Sequence, residues 1–182
     1  MASGVPVQNT PDGRVAVGGV TAVVSVKFTR PANTTTYAAG DVLANKDTLP
    51  MPFVFPVARV AGGSGIIQSA LVIDGAFPTL KIQFDLFLFD GGAAFTIAAD
   101  NSAYAPPQSD MDRLQVVLQF DGVANARSGD ASNNCAIPLT GAPQPFQCAP
   151  GDTNLYGVCV VRNAYVPVSS EAFRIRLGVL QD

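Results

Sequence analysis

The feature that most constrains this chain is a two-residue alternation of apolar side chains that recurs in several separate segments. From Val20 to Phe28 the even positions are Val20, Ala22, Val24, Val26 and Phe28, while Thr21, Ser25 and Lys27 share the other face with Val23. Successive side chains of an extended chain point to opposite sides, so the pattern predicts a strand with one face buried. Ile67, Leu71 and Ile73 form a similar face opposite Gln68 and Asp74, and Leu114, Val116, Leu118 and Phe120 alternate with Gln115, Val117 and Gln119. Phe173, Ile175, Leu177 and Val179 alternate with Arg174, Arg176 and Gly178, which puts both arginines on one exposed or partner-facing side.

Two further segments carry apolar residues on both faces. From Lys81 to Phe89 one face is Ile82, Phe84, Leu86 and Leu88, while the other changes from Lys81, Gln83 and Asp85 to Phe87 and Phe89. That strand runs into a region buried on both sides, under a loop or under a neighbouring subunit. Between Asn154 and Val161, Leu155, Cys159 and Val161 face one way and Tyr156, Val158 and Val160 the other, as in a central strand.

Helical periodicity is almost absent, because no useful window keeps apolar residues at i, i+3, i+4 and i+7. The exception is Ser109-Asp110-Met111-Asp112, where a capping Ser and early carboxylates suit one helical or 3₁₀ turn. The 17 Gly and 14 Pro follow no period and read as turns between short strands. Six to nine strands so punctuated predict an all-β protein, an antiparallel β-sandwich with the jelly roll as one form of it, plus a short helical turn and long loops. Its 182 residues suit one domain. The expected organisation is a flexible amino-terminal arm over 1–13 and a single sandwich domain over 14–182. Within that domain the stretch 124–152, dense in Asn, Ser, Pro and Gly, is expected to form a long loop or a projecting hairpin.

Only 14% of the residues are charged and 48% are hydrophobic, against about 25% charged in an ordinary soluble domain. A surface so poor in charge is covered by partners or filled with neutral polar side chains. Net charge is −3 and the three Lys and eight Arg are dispersed, so no basic stripe follows a nucleic-acid backbone and no nucleic-acid partner is expected. The segment Val15–Val26 is too short to cross a bilayer and contains Gly18 and Gly19, so it reads as a strand bent at the glycines, with no membrane association. Residues 1–14 lack the basic region and apolar stretch of a signal peptide, and secretion is not expected.

The chain has no histidine, which removes Ser-His-Asp and Cys-His arrangements and every metal site built on imidazole. Cys135, Cys148 and Cys159 are an odd number without a C-x-x-C pair, which suits a reducing cytoplasm and supports no zinc site. Cys135 and Cys148 flank a Pro/Gln-rich loop that would let them approach, although two unpaired thiols is the plainer reading; Cys159 reads as a small core side chain. Gly62-Gly63-Ser64-Gly65 precedes a strand without a following helix or Lys, so it is a turn rather than a phosphate loop. Thirteen Asp and the single Glu171 bring some carboxylates together by chance, and Asp100, Asp110 and Asp112 lack the Gly and bidentate Glu of a calcium loop. No catalytic, cofactor-binding or metal-binding residue is assigned, no cofactor is expected, and the chain is not expected to be an enzyme.

Several phrases stand in a telling order: Arg30-Pro31-Ala32, Thr36-Tyr37-Ala38-Ala39-Gly40-Asp41-Val42, Arg59 with 61–65, Leu86-Phe87-Leu88-Phe89-Asp90, Asp100-Asn101-Ser102-Ala103-Tyr104 with Asp110, Leu155-Tyr156-Gly157, and the span 164–180 with Pro167, Ser169 and Ser170. Together they resemble a family of small bacteriophage virion proteins encoded near capsid genes. The resemblance covers about Val20 to Asp182 and is poor over 124–152. It implies a decoration or cement protein on the capsid surface, whose partners are the major capsid protein and copies of itself, as a homotrimer. It would be made in the host bacterial cytoplasm and located in the virion, with no catalytic residues. The alternative is a tail or fibre-associated sandwich module binding a host glycan or another virion protein. With no Trp and four Tyr the stacking surface for sugars is thin.

Overall fold

The alternation in Val20–Thr29 folds into a ten-residue strand whose Val24 and Phe28 are buried while Thr21, Val23, Ser25 and Lys27 are exposed. A computed structural model describes residues 8–9, 15–16, 19–48, 50–76, 78, 80–91, 97–128, 135–139 and 143–182. Its strands are β1 (Gln8–Asn9), β2 (Val15–Ala16), β3 (Val20–Thr29), β4 (Val42–Leu43), β5 (Phe53–Pro56), β6 (Ser64–Asp74), β7 (Gln83–Asp90), β8 (Leu114–Asp121), β9 (Arg127–Ser128), β10 (Cys135–Pro138), β11 (Gln144–Gln147), β12 (Asn154–Val161) and β13 (Ala172–Gln181). Two single-turn helices, α1 (Gln108–Met111) and α2 (Gly122–Asn125), flank β8.

Apart from β1 and β2, which pair with each other, the strands form two packed antiparallel sheets, as the alternation predicts. The first runs β3-β13-β6-β10-β9, with β11 also on β6; the second runs β4-β12-β7-β8, with β5 also on β12. The pairing is nested: β3 with β13, β4 and β5 with β12, β6 with β10 and β11, and β7 with β8. One long antiparallel ladder is thus wrapped so that successive pairs fall in alternate sheets. The expected arm over 1–13 lies outside the described residues except for Gln8–Asn9, which pairs as β1 with β2.

Between the sheets lies an aromatic and aliphatic core. Phe28 stacks on Phe53 at 4.3 Å and on Phe173 at 5.4 Å, and Phe84 stacks on Phe120 at 5.1 Å. β12 is central, as expected, with Leu155, Cys159 and Val161 in this core and Val158 and Val160 on the other side. Part of that other side of the second sheet is covered too, while Val54 and Val117 on it stay exposed. Phe89, Val42, Ala44 and Val158 form a second cluster against Ile97, Ala98, Tyr104, Met111 and Leu114. The doubly apolar end of β7 therefore lies under a segment of its own chain.

Several local expectations are corrected. In β6 the predicted face of Ile67, Leu71 and Ile73 does not exist, because the register with β13 steps from Gly178↔Ser69 to Val179↔Ile67 and leaves Gln68 as an extra residue. Beyond this bulge Ala70, Val72 and Asp74 are buried and Leu71 and Ile73 turn outward. A similar step between Leu88↔Val116 and Phe89↔Leu114 separates Leu114 from the face of Val116, Leu118 and Phe120. Within the stretch 124–152, β10 pairs with the carboxyl-terminal half of β6 and β11 with its amino-terminal half, while 129–134 and 140–142 lie outside the described residues. Finally, α1 starts at Gln108 behind Pro107, with no side-chain cap, so Ser109 is not its cap. A proline suits such a start because it has no N–H to satisfy.

Candidate functional site

Arg30 closes one end of the sandwich. It follows β3 directly, and its guanidinium is buried among three loops. Nε donates to Tyr37 Oη at 3.0 Å, Nη1 donates to the carbonyls of Asn33 and Val168, and Nη2 donates to Asn33 Oδ1 at 2.8 Å. Tyr37 Oη in turn donates to Asp100, 2.8 Å from Oδ1, and Asp100 lies 3.5 Å from Arg30 Nη2 with both side chains fully buried. Burial raises the Asp100 pKa, opposed by the Ala44 N–H, the Tyr37 hydroxyl and the Arg30 charge. A saturated guanidinium of this kind fixes loop positions, since its planar fork of donors is held by acceptors from Pro31, Asn33, Tyr37 and Val168.

The same phrases are also joined through their backbones. Asp41 bridges Ala103, Val42 N donates to Ser102 O at 2.9 Å, Asn101 N to Val42 O at 2.9 Å, and Tyr104 N to Gly40 O at 2.9 Å. Gly40 turns at φ +96°, a conformation that costs glycine nothing. Tyr37 and Tyr165 exchange backbone hydrogen bonds of 2.9 and 3.2 Å, which ties in the 162–171 loop. Four of the segments that carry the resemblance, around 30, 37–42, 100–104 and 164–171, thus meet in one clamp.

Beside it lies a second buried acid group. Glu171, the only Glu, accepts from Tyr165 Oη and, 3.1 Å away, from Val168 N–H. Asp74 at the end of β6 hydrogen-bonds Glu171, accepts from Ala76 N–H at 2.8 Å, and receives the Cys135 thiol at 3.9 Å. Burial and then the Glu171 charge push Asp74 well above the usual carboxylate range. This is the carboxylate pair that counting could not single out. Asp74 and Glu171 are only 0% and 2% exposed, so the pair braces the interior and presents no oxygens to a substrate.

The outer face of the first sheet is a regular surface with exposed positions on β3, β6 and β13. Its register sets Lys27, Arg174, Ile73, Ala136 and Arg127 in one cross-strand row, Ser25, Arg176, Leu71 and Pro138 in the next, and Val23, Gly178 and Ser69 in a third. None of these twelve positions is a carboxylate, and Val23 is 62% exposed. Two depressions mark it: one of about 320 Å³ bounded by Lys27, Ile73, Gly75, Ala172 and Arg174, and one of about 190 Å³ bounded by Val23, Ser69, Leu71, Arg176 and Gly178.

The remaining candidates are dispersed. Asp100 belongs to the clamp, Asp110 is buried in α1 and Asp112 is exposed, where it accepts from Gln108 Nε2 at 2.6 Å. Among the described residues no group of three or more Cys, Asp and Glu could hold a metal ion. Cys135, Cys148 and Cys159 are all unpaired and buried. Gly62, at φ +70°, makes the turn before β6 that was expected of 62–65. The chain matches no protein-family model and no curated protein.

Proposed function

We propose that this protein is a non-enzymatic structural component of a phage particle that decorates or cements the capsid, binding the outer surface of the major capsid protein lattice as a homotrimer. The observation that carries this reading is the inequality of the two outer sheet faces. Residues 97–114 cover the part of the second sheet around Val42, Phe89 and Val158, while the first sheet presents an open face of cations, neutral polar groups and apolar side chains. A flat face of mixed apolar and polar character suits a protein interface rather than a small-molecule pocket. The resemblance to phage virion proteins supports the same reading, and four of the phrases that carry it come together in one clamp. Three unpaired buried thiols suit a protein made in a reducing cytoplasm.

The nested pairing supports a finer reading of the sandwich as a jelly roll. Setting aside the two-residue strands β1, β2 and β9, and taking β4 with β5 and β10 with β11 as single positions, leaves eight, paired first with last and inward from there. Such a fold serves capsids and lectins alike, so the function rests on the surface and not on the topology.

Phage shells prepared without the protein test the reading. Added protein is expected to bind them and to raise their resistance to heat and salt to that of complete particles. Shells that neither bind it nor gain resistance would exclude the decoration role.

A further inference from the structure

We infer that the outer face of the first sheet docks onto a carboxylate-bearing protein surface, with Lys27, Arg174 and Arg176 as the cations that recognise it. The inference deepens the decoration reading and takes the identity of the partner from it.

The first ground is an electrostatic arrangement that the isolated fold does not favour. Lys27 and Arg174 are direct cross-strand partners, and Arg176 follows two residues along on the same face. Like charges directly opposite each other in a sheet destabilise it. Among the described residues none of the three cations is in an ion pair, although the chain has fourteen acids to eleven bases. The three rows across this face contain no acid. Arg127 adds a fourth cation at the far end of the first row.

The second ground is the relief of the face. Gly178, opposite Val23 on one side and Ser69 on the other, lines the smaller depression together with Arg176; Gly75 and Ala172 line the larger one together with Lys27 and Arg174. Each depression has an apolar wall, of Val23 and Leu71 or of Ile73, and a cation at its rim. A partner side chain that enters one would bury methylene groups on that wall while its carboxylate meets the cation, which is how acidic side chains on a protein surface differ from a free anion. A nucleic-acid backbone fits less well, because neighbouring strands lie about 5 Å apart, so the cations crowd together instead of following a phosphate track.

The test uses the full chain in wild-type form, as single variants Lys27→Glu and Arg176→Glu, as the triple charge reversal with Arg174→Glu, and as Arg174→Lys/Arg176→Lys. Each is measured for binding to phage shells lacking the protein, to immobilised poly-L-glutamate and to duplex DNA, with far-UV circular dichroism as the control for folding. The wild type is expected to bind shells and poly-L-glutamate in a salt-sensitive manner. Each single reversal is expected to weaken binding several-fold and the triple by about tenfold or more, with the lysine variant close to wild type. Should the triple misfold, the two single reversals decide.

Reversals that bind shells as tightly as the wild type overturn the docking face and leave the decoration reading intact. Binding to poly-L-glutamate that the reversals abolish, without binding to shells, upholds the face and removes the decoration reading. A wild type that binds neither removes both. Tighter binding to duplex DNA than to poly-L-glutamate, lost in the reversals, overturns the assignment of a protein partner.

Discussion

Asp74 and Glu171 are hydrogen-bonded to each other in the interior of the sandwich, one from the last residue of β6 and the other from the turn that leads into β13. The pair couples the sheet to the clamp, because Glu171 also receives the Tyr165 hydroxyl and its carbonyl accepts from Arg30 N–H at 3.0 Å.

Burial and the neighbouring Glu171 push Asp74 up to about 8, so the folded state keeps a proton that the unfolded chain releases at about pH 4. Between those values the folded state binds more protons, and stability falls as pH rises. The contribution is fully present below about pH 4 and lost as pH passes the raised value. Thermal melting across that range should show the melting temperature of the wild type declining toward alkaline pH. Asp74→Asn should flatten the decline; an unchanged slope in that variant would place the titration elsewhere.

Arg30→Met should be among the most damaging single substitutions in the chain. It leaves the buried Asp100 carboxylate without its cation and frees three loops, a change that typically costs about 3–5 kcal/mol. Tyr37→Phe removes only the hydroxyl between them and should cost about 1–3 kcal/mol. Urea unfolding gives both values, and the order is the test.

Ser170→Gly should stabilise the protein. Ser170 sits at φ +56°, a left-handed conformation that a β-carbon makes unfavourable, and it does so immediately before Glu171. Relief at that position, less the added freedom of the unfolded chain, should amount to about 1 kcal/mol in the same urea experiment.

Gly157→Ala should destabilise by overpacking. A β-carbon at this position of β12 would stand 2.8 Å from Phe55 Cε2 and 2.9 Å from Leu86 Cδ1, both in the main core. Forcing a methyl group into such a contact costs about 1–3 kcal/mol, which a lowered melting temperature would report.

All three thiols should be slow toward a disulfide reagent in the native protein. Burial, then nearby carboxylates, raise Cys135 and Cys148 to about 11, so the reactive thiolate is scarce as well as shielded. Three equivalents should appear rapidly on unfolding in urea, and a fast native phase would show that a thiol is exposed.

The strands that could be read without a structure are those whose period is unbroken. In β3 and β13 every second residue from Ala22 to Phe28 and from Phe173 to Val179 faces the interior, and β12 carries apolar residues on both sides because it is central in its sheet. The two-residue strands β4 and β9 were not legible, since two residues hold no period; β5, β10 and β11 are little longer and owe their form to the long strands they pair with.

The sequence by itself determined that β6 would be a strand and that Arg174 and Arg176 would share the outer side of another. Only the tertiary structure decided which way β6 turns, because the bulge at Gln68 is set by its register against β13 and reverses every residue after it. That reversal buries Asp74 against Glu171 and places Leu71 and Ile73 beside the arginines. The interior acid pair and the open cationic face follow from one extra residue whose position depends on a strand more than a hundred residues away.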